Sequence, residues 1–171
     1  YFFHSGTRAK ALFEVTSGGN NDQRFAALYD QVDNAHFLFL KFKEVPNSQS
    51  KAKNKMPLIR KPEMYYIAAE CLLETGSDAD RVKAIEYLNT VRENRGIAKL
   101  GNDMTAGTVQ DEITKEYQRE FIGEGQLFYY YKRLGFEKIP YSTKPGSDAV
   151  YVVPLPTGDV GLGGMEDYKK K

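Results

Sequence analysis

The chain has 171 residues, and its 24 basic and 23 acidic side chains leave a formal charge of +1. That length allows a domain with a sizeable core. The balanced charge excludes an overall field that would draw the chain to nucleic acid or an anionic membrane surface.

Residues 1–60 are irregular and aromatic-rich, with "YFFH" and "HFLFLKF" separated by the loop "TSGGNND" at 16–22. In the second cluster Phe37, Phe39 and Lys41 alternate with Leu38, Leu40 and Phe42. Apolar residues on both faces predict a short buried strand there. "PNSQSKAKNKMP" at 46–57 is polar, basic and bounded by prolines, as an exposed connection would be. Its Lys51, Lys53 and Lys55 read as a solvated loop rather than a nucleic-acid contact.

Residues 61–135 carry the helical signal. Pro62 suits a first turn, and Met64, Ile67, Ala68, Cys71, Leu72 and Thr75 recur at helical spacing before Gly76. The lone cysteine, Cys71, permits no internal disulfide and is expected to be a buried, inert thiol. Asp78 or Asp80 can cap a second helix, with Ala84, Ile85, Leu88, Val91 and Arg95 on one stripe and Gly96 as its stop. A short turn between the two predicts an antiparallel hairpin. Thr108 followed by Asp111 resembles a capping box opening a long third helix, whose stripe is Ile113, Tyr117, Phe121, Phe128 and Tyr131. Gly123 and Gly125 inside that pattern each cost about 1 kcal/mol relative to alanine, and close packing of a neighbour is the favoured compensation. Tyr129 and Tyr130 point away from the stripe. Residues 136–171 form a loop-rich tail, in which "DAVYVVPLP" at 148–156 reads as a short β-like run. "TGDVGLGG" after it is glycine-rich but precedes no helix that could receive a phosphate.

Chemistry is sparse. Glu116, Glu120 and Glu124 recur every four residues, drifting by about 40° per step, so they share one helix face. Two such acids could serve a glycoside hydrolase if one stayed protonated and a sugar fitted between them. Glu124, however, falls in the apolar stripe, where an ionised carboxylate needs a cation. Arg92, Arg95, Arg119 and Arg133 are the available partners, so structural ion pairs with Glu120 and Glu124 are expected and no catalytic residue is assigned. His4 and His36 stand alone, which argues against a metal site, and no nucleophile motif is present. No cofactor is implied. Aromatics make up 13% of the chain and tryptophan is absent. Any ring outside a packed stripe is a candidate for stacking on a sugar or another flat ligand.

"RKPEMYYIAAECLLETG", "KAIEYLNTVRENRGI" and "ITKEYQREFIGEGQLFYYYKRLG", in this order, resemble the C-terminal part of SusD/RagB-like proteins, with "NDQRF" and "VVPLP" as further support. The resemblance covers roughly residues 20–160 and is densest at 60–135. It implies a mainly α fold of tetratricopeptide-like hairpins with irregular loops and a few short strands. It also implies non-catalytic cell-surface binding of an oligosaccharide or other nutrient. Implied partners are a SusC-like TonB-dependent outer-membrane transporter, the ligand itself and the remaining N-terminal part of the same protein. The family's lipid anchor would lie outside these residues, and the absence of an initial methionine fits a C-terminal portion. Phe2, Phe3 and Tyr141, aromatics on predicted loops, are the candidate ligand contacts. A hydrolase using Glu120 and Glu124, and a helical-repeat module binding only proteins, are the alternatives.

Overall fold

The computed structural model describes residues 3–15, 21–33, 36–43, 57–140 and 142–152, with side chains from Gly6 onward. The chain forms two compact units, Tyr1–Glu124 and Gly125–Lys171. The division falls inside the 61–135 stretch read from sequence as one helical core.

The first unit begins with β1 (Phe3–Ser5), α1 (Gly6–Leu12), α2 (Gln23–Leu28), β2 (Tyr29–Gln31) and β3 (His36–Phe39). β3 is the central strand, antiparallel to both neighbours, with Phe3 opposite Leu38 and Tyr29 opposite Phe39. The strand predicted to run to Phe42 ends at Phe39. There the backbone turns, and Lys41 is aimed at another element instead of continuing the alternation. Ala9, Leu12, Phe13, Tyr29 and Phe37 close into an aromatic cluster, with Phe25, Leu28, Phe39 and Ile122 packed against it. Phe13 meets Tyr29 edge-on at 5.8 Å, and Phe25 lies 5.5 Å from Phe37. Such tilted and edge-on pairs are the geometries aromatic quadrupoles favour.

The helical part of this unit is α3 (Lys61–Leu73), α4 (Asp78–Arg95) and α5 (Ala106–Phe121). The fold is mainly α and tetratricopeptide-like, as the resemblance implied. α3 and α4 make the expected hairpin, and α5 packs on both. Pro62 sits in the first turn of α3, where a missing N–H costs nothing. The inward face of α3 is Tyr66 and Ala69, both fully buried. Met64, Ile67 and Cys71 lie on the outer face, which corrects the predicted stripe and the buried thiol. Tyr66 determines this rotation: its ring packs on Tyr117 at 5.2 Å and its hydroxyl reaches Glu116. Ser77, ahead of both predicted caps, holds the N-terminus of α4 by accepting from the Asp80 amide. Ala84, Ile85, Leu88 and Val91 are buried, and Arg92 joins them in place of Arg95. α5 likewise starts earlier than the Thr108–Asp111 box suggests, because the Thr105 hydroxyl accepts from the Thr108 amide.

The long third helix is two helices. α5 ends at Phe121, and Gly123 and Gly125 follow with φ of 79° and 81°. Glycine is used at both for backbone freedom. Close approach applies to Gly123 alone, where a Cβ would fall 2.8 Å from Phe39 Cε1; at Gly125 no described atom is near.

The second unit holds α6 (Gln126–Arg133) and α7 (Asp148–Tyr151). Tyr130 and Tyr131 are buried and Tyr129 is exposed, so Tyr130 does not point outward as expected. Phe136 covers it, 6.3 Å from its ring and 5.1 Å from that of Tyr131. The start of the predicted β-like run is the short helix α7, because the amides of Val150 and Tyr151 both donate to the Ser147 carbonyl. The remainder of that run, 153–156, and the glycine-rich stretch after it lie outside the described residues. Among the described residues no helix is long and apolar enough to cross a membrane.

Candidate functional site

The acids of α5 converge with cations from α2, α4, α5 itself and the residue that precedes α3, while α3 contributes a tyrosine hydroxyl and α1 a backbone carbonyl. Glu116, fully buried, is the centre. Its Oε1 lies 2.6 Å from Arg119 and 3.3 Å from Arg92, while Oε2 lies 2.9 Å from Arg24 and accepts from the Tyr66 hydroxyl at 3.2 Å. One turn later Glu120 meets Arg95 at 3.0 Å, Arg60 at 3.1 Å and Arg24 at 3.4 Å. One turn earlier Glu112 pairs with Arg92 at 3.4 Å and with Lys115. Glu14, just past α1, pairs with Arg92 at 3.1 Å and with Arg119.

Backbone groups fix the cations. Arg119 Nε donates to the Leu12 carbonyl at 2.7 Å, and Arg92 Nε to that of Ala98 at 2.9 Å. Asp22 accepts from the Arg24 side chain at 3.1 and 3.0 Å and also caps α2 through the Arg24 amide. That two-pronged contact orients the guanidinium toward Glu116.

Glu124 lies past the end of α5, not on it, yet stays in the cluster. Its carboxylate is 2.6 Å from Lys41 and contacts Arg60. Lys41 also donates to the carbonyls of Glu120 and Ile122 at 2.8 and 3.0 Å, closing the C-terminal turn of α5. Arg60 Nε and Glu124 Oε2 have no hydrogen bond among the described residues.

Burial tends to raise the carboxyl pKa of Glu116, but Arg24, Arg119 and Arg92 together hold it below its ordinary value. Glu14 is held low in the same way, with Arg92 and Arg119 outweighing burial. Burial would lower the Arg24 pKa, but Glu116 and Asp22 carry it above the usual range. Burial and the neighbouring Glu116 charge raise Tyr66, so its hydroxyl stays a donor. Lys41 is lowered by burial, with Glu124 opposing. Glu63 is raised by burial and by the charge of Glu124.

This arrangement suits architecture more than acid–base chemistry. A general acid must hold a proton near neutral pH and reach its substrate. Glu116 is kept ionised, and the side chains of Glu116, Glu120 and Glu124 are 0%, 3% and 2% exposed. Arginine side chains occupy the space where two glycosidase carboxylates would need a sugar.

Of the residues singled out from sequence, the fold gathers Glu120, Glu124, Arg92, Arg95 and Arg119. Arg133 belongs to the second unit, with its guanidinium 5.4 Å over the Tyr130 ring. Phe3 lies in β1 and not on a loop; Phe2 and Tyr141 are outside the described residues. His36 is exposed and 3.0 Å from Asp33, and among the described residues no acidic, histidine or cysteine cluster is placed to hold a metal. Sequence reasoning missed Glu14, Asp22, Arg24, Lys41, Arg60 and Tyr66, and left the acid row one member short at Glu112. Only Asp22 and Arg24 carried a local signal, a capping residue two positions before an arginine in "NDQRF".

Searches among curated proteins and solved structures returned no match. The family model described as the SusD family matches residues 19–164, a span that contains all of the acid row and every cation facing it. The chain therefore belongs to the SusD family, whose members are non-catalytic nutrient-binding proteins associated with the outer membrane.

Proposed function

We propose that this chain supplies helical scaffold to a cell-surface protein that binds an oligosaccharide or another nutrient and delivers it to a SusC-like TonB-dependent transporter. The observation that carries the reading is the occupancy of the acid row within the family span. Glu112, Glu116, Glu120 and Glu124 each face at least one cation. That favours a binding scaffold over a hydrolase, which needs a carboxylate pair open to a sugar.

Glu124→Gln separates the two. As scaffold, the substitution leaves Lys41 without its anion and Arg60 with Glu120 alone, and destabilises the fold by about 2–3 kcal/mol, somewhat less than outright loss of a buried partner because Gln still accepts a hydrogen bond. As hydrolase, it would abolish turnover of a glycan panel at unchanged stability. Urea denaturation beside a glycan hydrolysis assay decides between them. For the transport role, purification from native outer membranes is expected to bring down a large barrel protein, and binding without hydrolysis is expected on a soluble glycan panel. A preparation free of any barrel partner would overturn that part.

A further inference from the structure

The second unit differs from the first in composition. Among residues 125–152 the bases Lys132, Arg133, Lys138 and Lys144 outnumber the acids Glu137 and Asp148. The segment thus carries an excess of positive charge although the whole chain is balanced. Within it, Tyr129 is 71% exposed, while its neighbours Tyr130 and Tyr131 are buried.

An exposed tyrosine is ordinary by itself. What distinguishes Tyr129 is the support behind it. Phe128 meets its ring edge-on at 5.4 Å and 83°, and Phe128 in turn packs 5.9 Å from Tyr151. The Tyr151 hydroxyl donates to the Phe136 carbonyl at 2.6 Å, fixing the last ring of the series. A ring backed in this way has little freedom left to lose when a flat partner covers its outer face. Exposed Lys132 follows three residues later on α6. That spacing puts the two Cβ atoms about 5–6 Å apart on one face.

We propose that Tyr129 and Lys132 form a subsite for an acidic sugar. The C–H face of a uronate ring stacks on Tyr129, and its carboxylate pairs with the Lys132 ammonium. The Lys132 ammonium beside the ring selects an anionic glycan over a neutral one. This inference rests on the nutrient-binding reading above and narrows it to a ligand class.

The test is calorimetric titration of the full chain with an oligogalacturonate and with a neutral galacto-oligosaccharide of equal length. The acidic ligand is expected to bind more tightly, and more weakly as salt rises. Tyr129→Ala is expected to weaken it about tenfold, and Tyr129→Phe to stay within about twofold because the stacking face is kept. Lys132→Gln is expected to weaken the acidic ligand about tenfold and leave the neutral one unchanged. Both positions are exposed, so melting temperatures should match wild type. Binding undiminished in Tyr129→Ala, or no preference for the acid in wild type, would overturn the subsite. Neutral-glycan binding that ignores Tyr129 would do so while leaving the nutrient reading intact. Uronate binding without a barrel partner would spare the subsite and sink the transport role.

Discussion

Glu116 shows how one side chain can hold several elements together. Arg24 from α2, Arg92 from α4 and Arg119 from α5 itself share its two oxygens, and Tyr66 adds a hydroxyl from α3. None of these groups could be buried alone at tolerable cost, since an unpaired ion in the interior forfeits its hydration. Replacing Glu116 by Gln keeps the shape but turns one oxygen into an amide donor facing guanidinium donors. The expected loss is about 3–5 kcal/mol, read as a lower urea midpoint at unchanged slope. Pairing the change with Arg119→Met supplies a control. The double variant should lose less than the sum of the two, because the second substitution removes a charge that the first left stranded. Strict additivity would mean that the two side chains do not act as a pair.

Among the elements, the end of α5 best separates what is local from what is not. Both glycines after α5 adopt left-handed φ, which costs another residue about 1–2 kcal/mol. Gly125→Ala should cost only that. Gly123→Ala should cost about 2–4 kcal/mol, because the new methyl also displaces Phe39. Thermal melts of the two variants check the ordering, and equal losses would mean the aromatic contact is unimportant. The same region marks the limit of the sequence reading. The α3–α4 hairpin was legible because capping, apolar spacing and the glycine stop lie within a few residues of one another. The break after Phe121 was not, since a helical stripe from Ile113 to Tyr131 runs smoothly through it and only φ distinguishes a tolerated glycine from a turning one. Nor was the outward rotation of Cys71 legible, because it depends on Tyr66 meeting a carboxylate 50 residues away. The acid row itself was plain in the repeat of glutamates. Its cations were not, because Arg24, Lys41 and Arg60 approach from distant sequence with no shared spacing.

At the scale of the whole molecule, a core stitched by ion pairs makes stability depend on pH in a direction the shifts determine. Glu116 and Glu14 titrate below the ordinary 4.5 in the folded chain. On acidification the unfolded chain therefore takes up these protons first. Their contribution is complete above about pH 4.5 and disappears as pH falls through the folded values. Glu63 works against this. Its folded pKa is raised, so its ionised form disfavours the fold, and that cost sets in as pH rises through the folded value. Glu63→Gln should therefore raise the melting temperature near neutrality and lose that advantage in acid. For the parent chain the buried acids dominate, and the melting temperature is expected to hold near pH 6–7 and drop steeply below about pH 4.5. Salt identifies the source. Surface pairs would be screened within a Debye length of about 3 Å at 1 M, whereas charges inside the packed helices are shielded far less. The acid-limb drop should thus persist in calorimetric scans at about 1 M salt. A drop that salt abolishes would place the relevant pairs at the surface, and the fold would then be held by its apolar and aromatic contacts with the arginines as bystanders.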